Sequence, residues 1–220
     1  EALSNNWVQF WYQPKVDMRR KQLAGAEVFA RVIHPEHGIL LPNSFMPGAD
    51  DASLQKLAEM ALFDALKPGV NFPKIGVPLR MAINISMGAL VKLPVGEMVR
   101  AHHPDGDNWP GLIIDLTEEQ VVKEISLANE LSKEFEPFNV RLAIDDFGRA
   151  YSSLTKVKEL PFAEMKLDRS FVTDCGTDKV NAPICKTVID LAHSFGSQAR
   201  RCSSEPKRSI IQAAMLWMEM

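Results

Sequence analysis

The sequence AIDDFGRAYSSL at residues 143–154, followed by LPFAEMKLDRSFV at residues 160–172, contains two short apolar segments with charged residues at their ends. The first segment leads into the pair Asp145-Asp146, and the second reaches Lys166 after AEM. Short apolar runs bounded by polar residues are typical of strands that are covered on both faces. This stretch therefore predicts two buried strands that carry charged groups near their carboxyl ends.

Segments of the same kind recur along the chain and alternate with longer stretches of helical period, which predicts βα units and a parallel sheet. An apolar stripe predicts a helix over residues 54–66. A capping box at Thr117 and Gln120 begins a second helix, whose stripe runs to Leu131, and a third helix begins at Asn181 as N-cap. The six predicted strands span residues 7–16, 23–32, 79–85, 112–116, 140–144 and 163–167.

The fold class is α/β, and two architectures fit this order of strands and helices. One is a doubly wound sheet, and the other is a (β/α)8 barrel, which typically takes about 250 residues. Since the chain has 220 residues, a barrel would be short of one βα unit.

The composition excludes several classes of protein. The chain is 46% hydrophobic and 24% charged, close to the globular averages of about 45–50% and about 25%, which excludes disordered and collagenous chains. A net charge of −3 gives no basic field for a nucleic acid polymer or an anionic membrane. Three cysteines without C-x-x-C spacing favour a reducing compartment, and no apolar run approaches the roughly 18 residues of a membrane span. We therefore expect a cytoplasmic domain and, because the sequence begins at Glu1 without methionine, one cut from a longer protein.

Groups that can bind a metal or a phosphate stand at or near the ends of several predicted strands. In a barrel the carboxyl ends of the strands meet on one face, so residues far apart in sequence become neighbours there. Three or four carboxylates stay ionised together only around a cation, and oxygen ligands favour Mg²⁺ or Mn²⁺ over zinc. Taken singly, these residues also have structural interpretations. Asn84 could belong to a turn or cap a helix, and the acidic residues within 115–118 could be the acids favoured at a helix N-terminus by its dipole. The residues concerned are Glu27, Asn84, Asp115, Asp145, Asp146 and Lys166.

Residues 143–154 and 160–172 together resemble the central signature of the EAL family of cyclic di-GMP phosphodiesterases. The resemblance runs in the family's order over roughly residues 7–198, and its glutamate motif corresponds to Glu27 rather than to the literal Glu1-Ala2-Leu3. Upstream segments that resemble family motifs are WYQPKVD (11–17), AEVFARVIHPEHGILLPNSF (26–45), AINIS (82–86) and LIIDLTEE (112–119).

The resemblance implies a TIM-type (β/α)8 barrel with an antiparallel first strand, which binds cyclic di-GMP at the strand ends over two divalent metals, Mg²⁺ or Mn²⁺. The implied reaction is in-line attack of water on one phosphodiester, which opens the ring to linear pGpG. By the resemblance, the first metal is bound by Glu27, Asn84, Asp115 and Asp145, and the second metal by Asp145 and Asp146. Lys166 contacts the nucleophilic water, and Glu118 holds the loop that starts at Asp146. Arg31 contacts a substrate phosphate, and Gln13 contacts a guanine.

Three departures from the family pattern bear on catalysis. Asp115 stands where the family usually has glutamate, and the shorter side chain should harm Mg²⁺ binding more than Mn²⁺ binding. Arg149 and Ala150 stand where the family has a small residue and glycine, which costs about 1 kcal/mol if position 150 needs a positive φ. The two glutamates of the family's Glu-Gly-Val-Glu motif fall on Cys202 and Glu205. A neutral thiol is a poor ligand for a hard cation, so the second metal would lose a ligand.

The resemblance ends at Ala199. Arg200 and Arg201 do not suit a strand buried in a barrel, so this strand either does not form or lies exposed. We expect an EAL-like barrel over residues 1–198 that is incomplete at its C-terminal end, followed by a divergent tail over residues 199–220. The tail would have replaced the family sequence, for instance through a shifted reading frame. The apolar residues of the tail suit a short helix over the open edge or against a second subunit in a homodimer.

Three functions stay open at this point. The first is an active phosphodiesterase, and the second is a module that holds cyclic di-GMP through Gln13 and Arg31 without cutting it. The third is a non-catalytic scaffold that acts on a partner protein. Because losing one strong transition-state stabiliser costs about 10²–10³ in rate, we predict an EAL-type domain of bacterial cyclic di-GMP signalling with impaired hydrolysis and a degenerate site. We expect regulatory or sensor domains beside it in a longer protein.

Overall fold

The computed structural model describes residues 1–17, 20–71, 78–103, 109–149, 162–172, 181–194 and 198–201. Two compact units divide them, the first comprising Glu1–Leu112 and the second beginning at Ile113. None of the described helices combines the length and the apolar character that crossing a membrane requires.

A long hairpin forms the base of the first unit. Its two strands pair antiparallel with Gln13 opposite Glu27, and the second strand pairs in parallel with the next long strand, where Glu27 lies opposite Ala82. The first strand is thus antiparallel, as the resemblance implied. The strands are β1 (Val8–Asp17), β2 (Gln22–His34), β3 (Gly38–Leu40), which pairs antiparallel with β2, and β4 (Arg80–Asn84).

One long helix covers β2 and β4. This helix, α2 (Asp51–Asn71), packs against both strands and buries Leu62 and Leu66 completely. It begins three residues before the predicted range of 54–66, because Asp50 Oδ1 accepts a hydrogen bond from the Ser53 backbone N–H at 2.7 Å and caps the helix there. The unit also contains three shorter helices, α1 (Pro42–Phe45), α3 (Met87–Leu90) and α4 (Val95–His102).

Four strands follow one another in the second unit, in the order β5, β6, β7 and β8. β6 pairs in parallel with β7, and β7 pairs in parallel with β8. Five of the six residues of β5 are buried, as are five of the six of β7, which agrees with the prediction of strands covered on both faces. The strands are β5 (Leu112–Thr117), β6 (Val140–Phe147), β7 (Phe162–Leu167) and β8 (Gln198–Arg201).

The helix predicted from Thr117 to Leu131 is two helices in the structure. α5 (Glu118–Lys123) begins at the predicted capping box, in which Thr117 Oγ1 accepts from the Gln120 N–H and Gln120 Oε1 accepts from the Thr117 N–H. Glu124 leaves the helical conformation, with φ −131° and ψ 50°, and α6 (Ile125–Phe135) begins directly after it.

The last described elements are α7 (Arg169–Val172), α8 (Asn181–Ser194) and β8. α8 begins at the predicted residue and packs against β7 and β8. The strand whose formation the sequence left open does form, and it spans residues 198–201, across the predicted boundary between the barrel (1–198) and the tail (199–220). The predictions for Cys202, Glu205 and the tail helix fall on residues 202–220, which lie outside the described residues.

Candidate active site

In the first unit, two predicted metal ligands lie side by side. Glu27 lies opposite Ala82 in the parallel pairing of β2 and β4, and Asn84 follows Ala82 by two residues on the same face. The Asn84 side-chain amide donates a hydrogen bond to Glu27 Oε1 at 2.8 Å. This contact orients a carboxylate and an amide oxygen at the end of β4, and both are hard oxygen donors of the kind that Mg²⁺ and Mn²⁺ prefer.

The two residues predicted to bind substrate are Gln13 and Arg31. Gln13 lies on β1 opposite Glu27. Arg31 lies on β2, is only 3% exposed, and holds its guanidinium carbon 5.8 Å from the ring centre of Trp11 and 5.5 Å from that of Phe29.

The buried guanidinium of Arg31 makes few hydrogen bonds. Its Nη1 donates to the carbonyl oxygen of the preceding residue at 2.7 Å, and within the described part of the chain its Nε has no acceptor. Burial lowers the pKa of Arg31 from its ordinary value, since it disfavours the charged form. A guanidinium has five N–H donors and stays protonated in proteins, so this side chain has donors left for an anion such as a phosphate.

Charged side chains meet in the interior of the second unit. Lys166 on β7 and Asp115 on β5 are each 2% exposed, and the Lys166 Nζ lies 2.5 Å from Asp115 Oδ2. The same nitrogen lies 3.6 Å from Asp145 Oδ2. Asp115 and Asp145 offer carboxylate oxygens within 4.8 Å of each other. Two carboxylates this close repel each other unless a cation lies between them, and the ammonium of Lys166 provides that charge.

The burial of these strands explains why their charges pair. The residues on either side of Asp115, Ile114 and Leu116, have no exposed surface, and both sequence neighbours of Lys166 are buried as well. A charge that is removed from water in this way needs an opposite charge or a metal ion beside it. The cluster of Asp115, Asp145 and Lys166 therefore balances two carboxylates with one ammonium, and its carboxylate oxygens are hard donors of the kind that Mg²⁺ and Mn²⁺ prefer.

The chain after Asp145 is held in an unusual conformation. Asp146 has a positive φ of 54°, and its backbone N–H donates to Asp145 Oδ1 at 2.8 Å. Gly148 has φ 100°, and a Cβ at this position would lie 2.6 Å from the ring of Phe171. The Gly148 N–H donates to Glu118 Oε2 at 2.8 Å, and Glu118 is 3% exposed. Glu118 thus contacts the start of the loop through the backbone of its glycine.

Arg149 contacts two carboxylates at this point. Its Nη1 lies 3.2 Å from Asp146 Oδ2, and its Nε lies 3.7 Å from Asp168 Oδ2. Burial alone would raise the pKa of Asp168, but hydrogen bonds from Ser170 and the charge of Arg149 hold it below its ordinary value. Asp168 was not among the candidate residues predicted from the sequence, although it directly follows β7 and so meets the same strand-end criterion as Asp145. Ala150, whose backbone conformation the sequence left open, lies outside the described residues.

The family model for the EAL domain matches residues 1–199 of the chain. The chain belongs to the EAL domain family. Its fold is therefore the TIM-like barrel of EAL domains. This confirms the predicted family and fold class and excludes the alternative prediction of a doubly wound sheet. The incompleteness of the barrel stays a prediction, since the tail lies outside the described residues.

Two similar proteins are cyclic di-GMP phosphodiesterases of Pseudomonas aeruginosa. The EAL domain is 29% identical over 187 residues to the phosphodiesterase PA2567, with 84% of this chain and 32% of that protein covered. It is 30% identical over 197 residues to the phosphodiesterase RocR, with 89% of this chain and 50% of that protein covered. The chain thus spans a third to a half of the length of these relatives.

Solved EAL structures extend the similarity to the arrangement of the chain. The PaMucR phosphodiesterase in its c-di-GMP complex matches with a TM-score of 0.80 and 26% identity, over 99% of this chain and 88% of that one. The FimX EAL domain from Pseudomonas aeruginosa bound to c-di-GMP matches with a TM-score of 0.77 over 99% of this chain and 87% of that one. At 21% identity, the second match supports the fold alone.

Proposed function

We propose that this EAL domain binds cyclic di-GMP over Mg²⁺ or Mn²⁺ and hydrolyses it to linear pGpG at a reduced rate. The observation that carries the proposal is the buried cluster in which Lys166 lies between Asp115 and Asp145. Such a group of two carboxylates and one ammonium is expensive to bury, and it has an evident use in a site that handles cations and phosphates.

The family pattern implies four oxygen ligands for the first metal, which are Glu27, Asn84, Asp115 and Asp145. Asp115 and Asp145 offer oxygens within 4.8 Å of each other, and the hydrogen bond to Asn84 orients Glu27. A bound divalent cation supplies a Lewis acid that polarises a phosphate oxygen and acidifies water. Asp146 would add a ligand for a second metal, as the family pattern implies.

Lys166 is the residue proposed to contact the attacking water. Its ammonium is a proton donor at Nζ, and its contact with Asp115 Oδ2 holds that donor among the strand-end carboxylates. Glu118 keeps the loop from Asp146 in position through the Gly148 N–H, so that Asp146 is held beside Asp145. Both roles are positional and electrostatic, and neither requires a covalent intermediate.

Arg31 and Gln13 would bind the nucleotide. The buried guanidinium of Arg31 has donors to spare and lies against two aromatic rings, so a phosphate could replace water there with charge-assisted hydrogen bonds. Gln13 carries both an amide donor and an acceptor, which suits the edge of a guanine.

Two features support a reduced rate. Asp115 is one methylene shorter than the usual glutamate and has its Oδ2 in contact with Lys166, which should favour Mn²⁺ over the geometrically stricter Mg²⁺. Arg149 sits on Asp146, the proposed ligand of the second metal. The same two features favour a second candidate function, a receptor that binds cyclic di-GMP without cutting it. In either case we propose a cytoplasmic domain of a longer, regulated signalling protein.

Calorimetric titration with cyclic di-GMP tests the proposal. The native chain should bind one nucleotide, and Arg31→Ala should weaken binding at least about tenfold, since a charge-assisted contact contributes about 1.5–3 kcal/mol. Arg141→Ala serves as the matched control. Arg141 lies on β6, the strand that carries Asp145, and forms an exposed ion pair with Glu136 at 3.3 Å. Equal affinity for the native chain and Arg31→Ala, or no binding by the native chain, would contradict the proposal.

A further inference from the structure

Arg149 contacts two carboxylates at the start of the loop that follows Asp146. Nη1 lies 3.2 Å from Asp146 Oδ2, and Nε lies 3.7 Å from Asp168 Oδ2. The two carboxylates come from different places in the sheet, because Asp146 belongs to β6 and Asp168 directly follows β7. A single guanidinium thus bridges two strand ends with separate nitrogen atoms.

The backbone fixes the starting point of this side chain. The Arg149 N–H donates to the Asp146 carbonyl oxygen at 3.3 Å, which closes a tight turn, and Gly148 within that turn is anchored to Glu118. The left-handed conformation of Asp146 directs the chain into this turn. Arg149 is therefore pre-positioned beside Asp146, and ordering its long side chain costs less than it would on a free loop.

We propose that Arg149 is a built-in cation that occupies Asp146 and keeps a divalent metal from the second position. This inference rests on the proposed function, in which Asp146 is a metal ligand. The guanidinium neutralises the carboxylate that a cation would need, and it repels any divalent ion that approaches. At low metal concentration the domain then binds divalent metal at the first position alone, with Asp146 paired to Arg149.

The contact is weak enough to be displaced, so the effect is one of competition. Arg149 is 66% exposed in its side chain, and ion pairs in such surroundings are screened by water and salt. Removing a positive charge that lies about 5 Å from a divalent ion at a water-exposed position should raise the affinity for that ion about tenfold. Millimolar Mn²⁺ should therefore partly displace Arg149 in the native chain, and much less should suffice without it.

Titration with Mn²⁺, followed by the electron paramagnetic resonance signal of the free ion, tests the proposal on the full chain without nucleotide. Arg149→Ala should bind one Mn²⁺ more than the native chain, or should bind its weaker Mn²⁺ about tenfold more tightly. Arg149→Lys, which keeps the charge, should stay close to the native chain. Arg141→Ala, which removes an exposed arginine of the same unit, should not change the titration.

The site of the gained ion is tested by a second substitution. Arg149→Ala combined with Asp146→Asn should lose the gain. If Arg149→Ala titrates like the native chain, if Arg141→Ala gives the same gain, or if the gain survives Asp146→Asn, the proposal is wrong. Failure of the proposed function has a different signature, because Asp145→Ala would then leave the Mn²⁺ binding of the native chain unchanged.

Discussion

Replacing Lys166 by methionine removes the ammonium that lies between two carboxylates in the interior of the second unit. Lys166 and Asp115 are both 2% exposed, so Asp115 would lose the ammonium beside it without gaining access to water. At an effective dielectric constant of about 20, unit charges 2.5 Å apart attract by about 6–7 kcal/mol, and the desolvation of both groups offsets part of this. Breaking a buried pair from one side costs about 3–5 kcal/mol.

Urea denaturation and thermal unfolding measure this loss for Lys166→Met. For a chain of this size, 3–5 kcal/mol corresponds to a decrease in Tm of about 6–20 °C. Lys56→Met is the matched control, because Lys56 pairs with Glu59 at 2.8 Å on the exposed face of α2. That exposed pair should contribute at most about 1 kcal/mol, and methionine has nearly the helix propensity of lysine.

Two further measurements separate the electrostatic explanation from a loss of packing. Lys166→Met combined with Asp115→Asn should be more stable than Lys166→Met alone, because the second substitution removes the buried charge that has lost the ammonium beside it. Mn²⁺ should stabilise Lys166→Met more than it stabilises the native chain; at 100 times the Kd of the variant, binding stabilises the variant by about 2.7 kcal/mol. The reasoning is refuted if Lys166→Met loses no more stability than Lys56→Met, or if the double substitution is the less stable of the two.

Two other predictions concern the loop and the acid behind it. Gly148→Ala should lower the free energy of unfolding by about 1–3 kcal/mol in urea, because φ is 100° and the new Cβ would lie 2.6 Å from Phe171; Phe171→Leu in the same chain should recover only the steric part. The folded-state pKa of Asp168 lies below its ordinary value of 3.8, since hydrogen bonds from Ser170 and the charge of Arg149 outweigh its burial. Its contribution to stability is therefore complete above pH 3.8 and is lost as the pH falls through the lower folded-state pKa, so the stability difference between the native chain and Asp168→Asn should shrink below about pH 4. A difference that stays constant down to pH 2 would contradict this assignment.

The strand ends could be predicted from the sequence because the strands are covered on both faces. Between buried neighbours such as Ile114 and Leu116, a single charged residue stands out, and the sequence places Asp115, Asp145 and Lys166 in this way. The alternation of strands and helices then limited the architecture to two candidates. The choice between them came from a long family motif and not from periodicity.

The sequence pattern could not predict which side chains contact each other. The sequence indicated that Lys166 and Asp115 lie on the same face, but their direct contact depends on the distance between β5 and β7. The helix break at Glu124 was missed because the apolar stripe continues through it, and only the backbone angles of that residue separate α5 from α6. Arg149 was recognised as a departure from the family, whereas its two carboxylate partners follow from the turn at Asp146.

The chromatographic detection of linear pGpG tests the central claim most directly. The purified chain is incubated with cyclic di-GMP and Mn²⁺, and in parallel with Mg²⁺, and the same reactions are run with Asp145→Ala and Arg141→Ala. The account predicts slow formation of pGpG that is faster with Mn²⁺, absent in Asp145→Ala and unchanged in Arg141→Ala. Intact nucleotide with both metals, or pGpG formation that survives Asp145→Ala, would contradict it.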